Sequence, residues 1–240
     1  MGIKAVTYNL RDGVATIGID DGKRNALSPE VLRELYAALD RAEADGAVVL
    51  LTGREDVFSA GFDLNVMKRG GARALGMLRS GYALTGRVLA YPHPVVVACN
   101  GHVMAMGVFL MLSADYVIGS RGDFKVSANE VALGLTMPRV AASMLEHRLT
   151  PAAYQRAVTI SEFFDVETAL KSGFFDELVE PVGLMDRAGK IAEDVKQLHA
   201  RAHKDSKRRI RAKLIRRIRR SIPLDLLDAM LLALRGGKPR

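Results

Sequence analysis

This sequence predicts an α/β fold, on three observations. Short continuous apolar runs at residues 47–53 (AVVLLTG), 94–100 (PVVVACN) and 116–120 (YVIGS) have the length and β-branched content of strands buried on both faces. Helical windows with start and stop residues lie between them. No short-period repeat and no Gly/Ser-rich linker breaks the alternation, so strand and helix follow one another as in a layered α/β domain.

Taken in order, VTYNL and VATIGI alternate in polarity around Arg11, Asp12 and Gly13, which predicts a β-hairpin. Ser28 as N-cap, Pro29 at the first helical position and Glu30 behind it start a helix reaching about Ala44 and stopping near Asp45 and Gly46. The first buried strand follows, then FSAGFDL as a tight glycine-bearing turn. A long helix runs from Gly70 and Gly71 to Leu89. After the second buried strand, GHVMAMG is read as a loop entering the helix of FLMLSAD, and YVIGS closes this part as a third strand. Helical windows at 141–148, 151–159 and 166–171 precede a short strand in FFDELV and a helix from about Leu184. A soft boundary near Pro181 divides a core, residues 1–181, from a helical C-terminal region, residues 182–240.

The chain has 240 residues, 49% apolar and 26% charged, the balance of a folded globular protein large enough for a sizeable core. Cys99 is the lone cysteine, which excludes an intrachain disulfide and a cysteine-rich zinc site. The opening MGIKAV lacks a cationic and apolar leader, and the longest uncharged apolar stretch, Val103 to Ala114, is too short to span a bilayer. A cytoplasmic protein is the expectation. The net charge of +8 is uneven: residues 201–240 hold 14 Lys and Arg against 3 acids, leaving a net −3 for residues 1–200. The basicity belongs to the tail.

Phosphate-loop, dinucleotide, serine-elbow and zinc-protease signatures are absent, and the five histidines lack metal-ligand spacing. Two features remain. Glycine-bearing turns, FSAGFDL and NGHVMAMG, each follow a buried strand, and converging N–H groups in such turns can hold an oxygen that gains negative charge. The other feature is Glu130, a lone carboxylate in the apolar stretch ANEVALGL, where an unpaired charge costs several kcal/mol, roughly, unless it is paired or used.

FSAGFDL, then VVACNGHVMAMGVFLMLSADYVI, then NEVALGLTMP, in that order, resemble the enoyl-CoA hydratase/isomerase (crotonase) superfamily. KRNALSPEVLREL and FFDVETALKSGFFDELVE are similar to further family segments. The resemblance implies a spiral of ββα units, a helical C-terminal region that trimerises, and a thioester of coenzyme A as ligand. It implies no metal and no cofactor beyond the coenzyme A of the substrate, and a homotrimer or a hexamer made as a dimer of trimers. By the same resemblance, the N–H groups of Phe62 and Met106 would hold the thioester oxygen. The family usually has glycine where Met106 stands, which puts a thioether at the pocket wall. Coenzyme A contacts would come from Lys23, Arg24, Asn25 and Ala26, and from Ala60, Phe62, Asp63 and Leu64. Met104, Phe109, Leu133 and Met137 would line the acyl pocket.

Family hydratases use two glutamates, and here the first position carries Phe109 while the second is kept as Glu130. A phenylalanine cannot take a proton from water. One acid beside an oxyanion hole fits a proton shuttle for double-bond isomerisation in fatty-acid metabolism, or a hydratase that recruits another group; Asp63, Asp115 and Glu146 are the reserve carboxylates. The alternative reading is a catalytically decayed acyl-CoA-binding protein.

In the tail, Ile210, Leu214 and Ile218 recur at helical spacing among Lys and Arg. A solvated helix whose apolar stripe packs on the trimer is the plain reading; contact with nucleic acid or a membrane is the functional one. LDLLDAMLLAL reads as a packing helix.

Overall fold

The computed structural model describes residues 4–234. Its first elements follow the sequence closely. Strands β1 (Val6–Arg11) and β2 (Val14–Ile19) pair antiparallel, and β3 (Ala26–Leu27) leads into helix α1 (Pro29–Ala44). Ser28 caps α1 by accepting from the Val31 N–H, satisfying one of the helix's free donors.

The chain then lays down strands in pairs. β4 (Val48–Thr52) is followed by β5 (Val57–Ser59) and β6 (Gly61–Phe62), then by helices α2 (Leu64–Arg69) and α3 (Gly71–Leu89). Next come β7 (Val95–Cys99), β8 (His102–Met104) and α4 (Met106–Leu112), then β9 (Tyr116–Ser120) and β10 (Lys125–Ser127). In each pair the first strand joins one sheet and the second joins another: β1-β2-β4-β7-β9-β12 on one side and β11-β10-β8-β5 on the other, where β11 is Phe164–Asp165 and β12 is Glu177–Val179. Apart from the β1–β2 and β10–β11 pairs, the ladders in both sheets are parallel. This is the ββα spiral that the resemblance implied. GHVMAMG, expected as loop, contributes β8, because a three-residue parallel strand leaves too short a pattern to read.

Helices α5 (Arg139–Arg148), α6 (Pro151–Ile160) and α7 (Val166–Ser172) follow the windows read from sequence, and α8 (Leu184–Lys196) starts where expected. Leu184, Ala188, Ile191 and Ala192 of α8 pack on Val48, Leu50, Val96, Ala98 and Ile118, so α8 covers one face of the six-stranded sheet.

Helix α9 (Ala200–Leu234) is continuous through Pro223 and takes in both the basic stretch and LDLLDAMLLAL. It packs on α3 and α5 of its own chain. Of the expected stripe, Ile218 is buried and Leu214 packs against the core, while Ile210 is 73% exposed; the buried positions are Lys207, Arg211, Ile215, Ile218, Ser221 and Asp225. Two cations lie on the inward face because they meet partners there. Lys207 Nζ reaches Asp115 Oδ2 at 2.6 Å and the His93 carbonyl at 3.1 Å. Arg211 pairs with Asp115 Oδ1 at 3.0 Å and donates to the carbonyls of Leu89, Ser113 and Ala114, at the C-terminal ends of α3 and α4. Asp115 also accepts from the Val95 N–H at the start of β7.

Removing Asp115 leaves two buried cations without their anion. Asp115→Ala is expected to destabilise the fold by about 3–5 kcal/mol, read as a lowered urea midpoint; an unchanged midpoint would mean that the cluster is hydrated.

Candidate active site

The two glycine-bearing turns meet. Ser59, at the end of β5, is fully buried; its hydroxyl donates to the Asn25 carbonyl at 2.8 Å and accepts from the Gly61 N–H at 3.2 Å. Gly61 has φ +86°, and a Cβ placed on it would lie 2.9 Å from Ala105 Cβ and 3.2 Å from the Met106 nitrogen. A Cβ on Gly107 would lie 2.7 Å from the Ser59 carbonyl oxygen. Glycine at both positions is therefore a packing requirement. Ala105, just before α4, is held at φ +47° and ψ −124°, a conformation costly for a residue with a side chain, and its N–H is tied to the Ser127 carbonyl at 2.9 Å. The Met106 N–H is the first of α4 and has no acceptor among the described residues. Phe62 stands opposite, in the two-residue strand β6 paired with β3.

Glu130 follows β10 and opens a short 3-10 turn, Val131–Leu133. The residue is 6% exposed, and its Oε2 has no hydrogen-bond partner among the described residues. Desolvation pushes its pKa up to about 7, partly opposed by a backbone hydrogen bond. Its own carbonyl accepts from the Leu133 and Leu135 N–H groups at 3.0 Å. Beyond it the segment is held by Ser161 Oγ, which accepts from the Ala132 N–H at 3.1 Å. Asp225 of α9 holds the far end, accepting from the N–H groups of Arg139 (3.0 Å) and Val140 (2.9 Å) at the start of α5.

Two residues here escaped the sequence reading. Asp225 caps α5 from a helix 85 residues away, a relation that no local pattern carries. Tyr82, in α3, packs edge-on against Phe62 with centroids 5.7 Å apart. Burial first, then the carboxylates of Glu130 and Asp225, keep its phenol protonated, and its hydroxyl has no partner among the described residues. Gly81 was a readable signal: in the helix interior it costs roughly 1 kcal/mol against alanine, and a Cβ there would strike the Phe62 ring at 2.3 Å.

The remaining sequence candidates separate. Lys23 and Arg24 are exposed, and neither has an acidic partner among the described residues. Ala60 and Ala26 lie close by, linked through the Ala60 N–H to the Arg24 carbonyl and the pairing of β3 with β6. Asn25 is corrected. It is fully buried in a left-handed conformation, and its amide bridges the carbonyls of Ile19, Val57 and Phe58 while its Oδ1 accepts from the Asp21 N–H. Its N–H and carbonyl are also engaged, so it acts as a structural bolt between the first hairpin and β5. Asp63 caps α2, accepting from the N–H groups of Asn65 and Val66, and Leu64 is exposed beside it. Phe109 is buried within α4, while Met104, Leu133 and Met137 are half-buried.

Each reserve acid makes a contact of its own. Asp63 is engaged as a cap, Asp115 is locked to Lys207 and Arg211, and Glu146 pairs with Arg217 on the surface. Each reserve acid has a partner in this fold, and Glu130 carries the one buried carboxylate oxygen left without a partner among the described residues.

A parallel ββα spiral, with two turns touching at a helix start beside one buried acid, defines a crotonase-type α/β protein. Comparison with known proteins agrees: residues 9–226 match the enoyl-CoA hydratase/isomerase family model, and the chain belongs to that family. It is 34% identical over 179 residues to a probable enoyl-CoA hydratase of Mycobacterium avium, covering 73% of this chain and 69% of that one. A crystal structure of an enoyl-CoA hydratase/isomerase family protein from Pseudomonas syringae superposes with a TM-score of 0.91 at 40% identity, covering 93% and 97% of the two chains. A structure described as the Mycobacterium tuberculosis enoyl-CoA isomerase does so at 0.89 and 40%, covering 92% and 97%.

Glu130 ties stability to pH. Its pKa of about 7 in the folded chain exceeds the ordinary 4.5, so its stabilising contribution is full below the lower value and lost as pH rises through the upper. Glu130→Gln is therefore expected to be the more stable protein at about pH 8, by up to roughly 3 kcal/mol, with the gap closing towards acid. Urea unfolding across that range measures it; a gap that does not vary with pH would put the carboxylate in water.

Proposed function

We propose that the chain isomerises 3-enoyl thioesters of coenzyme A to their 2-enoyl forms in fatty-acid metabolism. The observation that carries this reading is a single acid: Glu130, desolvated and unpartnered, with Phe109 buried in apolar core and every reserve carboxylate engaged.

In the proposed reaction, the thioester oxygen accepts hydrogen bonds from the Phe62 and Met106 N–H groups. Ionised Glu130 takes a proton from C2, and the electron pair moves onto the thioester oxygen as a dienolate, stabilised by those donors. Protonated Glu130 then returns the proton at C4, the C3–C4 double bond moves to C2–C3, and the carboxylate is restored. No atom is gained or lost. A pKa of about 7 suits both halves, since the group must take a proton and release it at the same pH.

Lys23 and Arg24, exposed and without acidic partners among the described residues, supply cations for the nucleotide end of coenzyme A. Leu133 and Met137 flank the acid and, with Met104, form the acyl wall. The same relative is described as an enoyl-CoA isomerase in one solved structure and as a probable enoyl-CoA hydratase in another, so the choice of reaction rests on the single acid. Assembly as a homotrimer or a dimer of trimers, in the cytoplasm, completes the proposal. Among the described residues, no helix is long and apolar enough to cross a membrane.

Conversion of 3-hexenoyl-CoA to the 2-enoyl isomer tests the reading directly. Wild type should turn over, Glu130→Gln should be slower by about a hundredfold or more, and the wild-type rate should climb with pH through about 7 as Glu130 ionises. Turnover that survives in the variant would remove Glu130 from the chemistry. Thioester binding without turnover by either protein would leave the acyl-CoA-binding reading in its place.

A further inference from the structure

Tyr82 is a buried polar group to which the proposed chemistry gives no task. It lies in α3, is 5% exposed, and its hydroxyl has no partner among the described residues. Burial first, then the carboxylates of Glu130 and Asp225, hold the phenol in its protonated form, so the group is able to donate a hydrogen bond. Neither acid accepts it. Asp225 Oδ1 accepts from the Arg139 N–H and guanidinium, and Asp225 Oδ2 from the Val140 N–H, while Glu130 Oε2 stays unpaired among the described residues. A donor left dry and unpaired is destabilising, so its complement is an acceptor that the described residues do not provide.

The position of Tyr82 puts it beside a bound acyl chain. Its ring meets the Phe62 ring edge-on, with 5.7 Å between centroids, and α3 gives up a side chain next door to permit this: a Cβ on Gly81 would lie 2.3 Å from Phe62 Cε1 and 2.5 Å from Cζ. Phe62 is the residue whose N–H holds the thioester oxygen in the proposed reaction. With Phe62 on one side and Glu130 on the other, Tyr82 borders the stretch of chain that follows the thioester. In that reaction C2 and C4 exchange the proton with Glu130, and C3 stays in the double bond throughout. An acceptor oxygen on the substrate therefore belongs on C5 or beyond.

We propose that Tyr82 is a specificity-determining residue: its hydroxyl donates to an oxygen carried on C5 or beyond, so the site selects thioesters whose tail bears a keto or hydroxyl group over those with a plain hydrocarbon tail. The inference rests on the isomerase reading for the placing of the thioester. The side chains proposed as acyl wall, Met104, Leu133 and Met137, offer no donor, which leaves the phenol as the group that a tail oxygen meets. A hydrocarbon tail laid against Tyr82 shuts out water and leaves the donor unpaired. An oxygenated tail gives up its own water and regains a hydrogen bond, and that difference is the discrimination.

Calorimetric titration of the full chain with three saturated thioesters, hexanoyl-CoA, 5-oxohexanoyl-CoA and 6-hydroxyhexanoyl-CoA, is the test, since none of them carries a double bond to move. At least one oxygenated thioester should bind wild type about fivefold or more tightly than hexanoyl-CoA. Tyr82→Phe should abolish that preference while binding hexanoyl-CoA as well as wild type does, or better. A purely structural role would weaken all three alike, and that result overturns the proposal. Equal wild-type affinities overturn it without any variant, and so does a preference that survives in Tyr82→Phe. Binding is read without turnover, so the two readings separate. Loss of 3-hexenoyl-CoA isomerisation with the tail preference intact removes the reaction alone; turnover with no tail preference removes the role of Tyr82 alone.

Discussion

The backbone contact between the FSAGF and MAMG turns is the constraint on which the site depends. Gly61 approaches Ala105 and Met106, and Gly107 approaches Ser59, so each turn supplies the glycine that the other needs. This contact follows from the spiral. β5 and β8 are parallel neighbours, so the segments leaving them emerge side by side, and α4 begins where they touch. The strained backbone of Ala105 is held by the same arrangement, through its hydrogen bond to Ser127 on the next strand of that sheet. A free N–H at the start of α4 is thus a product of the sheet register.

Helix α9 secures the other walls by meeting helix ends with the matching charge. Arg211 lies at the carbonyl ends of α3 and α4, and Asp225 at the N–H end of α5, each complementing the helix dipole it faces. Phe62, Tyr82 and Glu130 are therefore framed by elements that a single C-terminal helix ties together. Burying Lys207 and Arg211 on one aspartate leaves a net positive cluster, which is compensated by the carbonyls of His93, Leu89, Ser113 and Ala114.

Much of this was legible in the sequence. The hairpin, the Ser28 cap, the buried strands and the anomaly of Glu130 all show in local pattern, because periodicity and capping act over a few residues. What stayed hidden depends on distant partners. Asn25 resembles a ligand-contacting turn residue until the carbonyls of Ile19, Val57 and Phe58 are seen around it. Lys207 and Arg211 read as solvated because their anion sits some 90 residues away, and placing them inside rotates α9 and turns Ile210 out to water. Tyr82 lacked any signal of its own; only the neighbouring Gly81 betrayed a close approach.

Glu130 shows why such a site cannot be improved as ordinary core. A hydrophobic residue of similar size would remove an orphaned acceptor, and the fold would be more stable for it at neutral pH. Yet the dry surroundings that make the acid costly also raise its basicity. A second ionised acid nearby would raise the pKa further by repulsion, whereas a buried cation would lower it; with neither present among the causes, desolvation, offset in part by a backbone hydrogen bond, sets the value near neutrality. The instability of the residue and its fitness to carry a proton in the proposed reaction are one physical property, seen first from the fold and then from the chemistry.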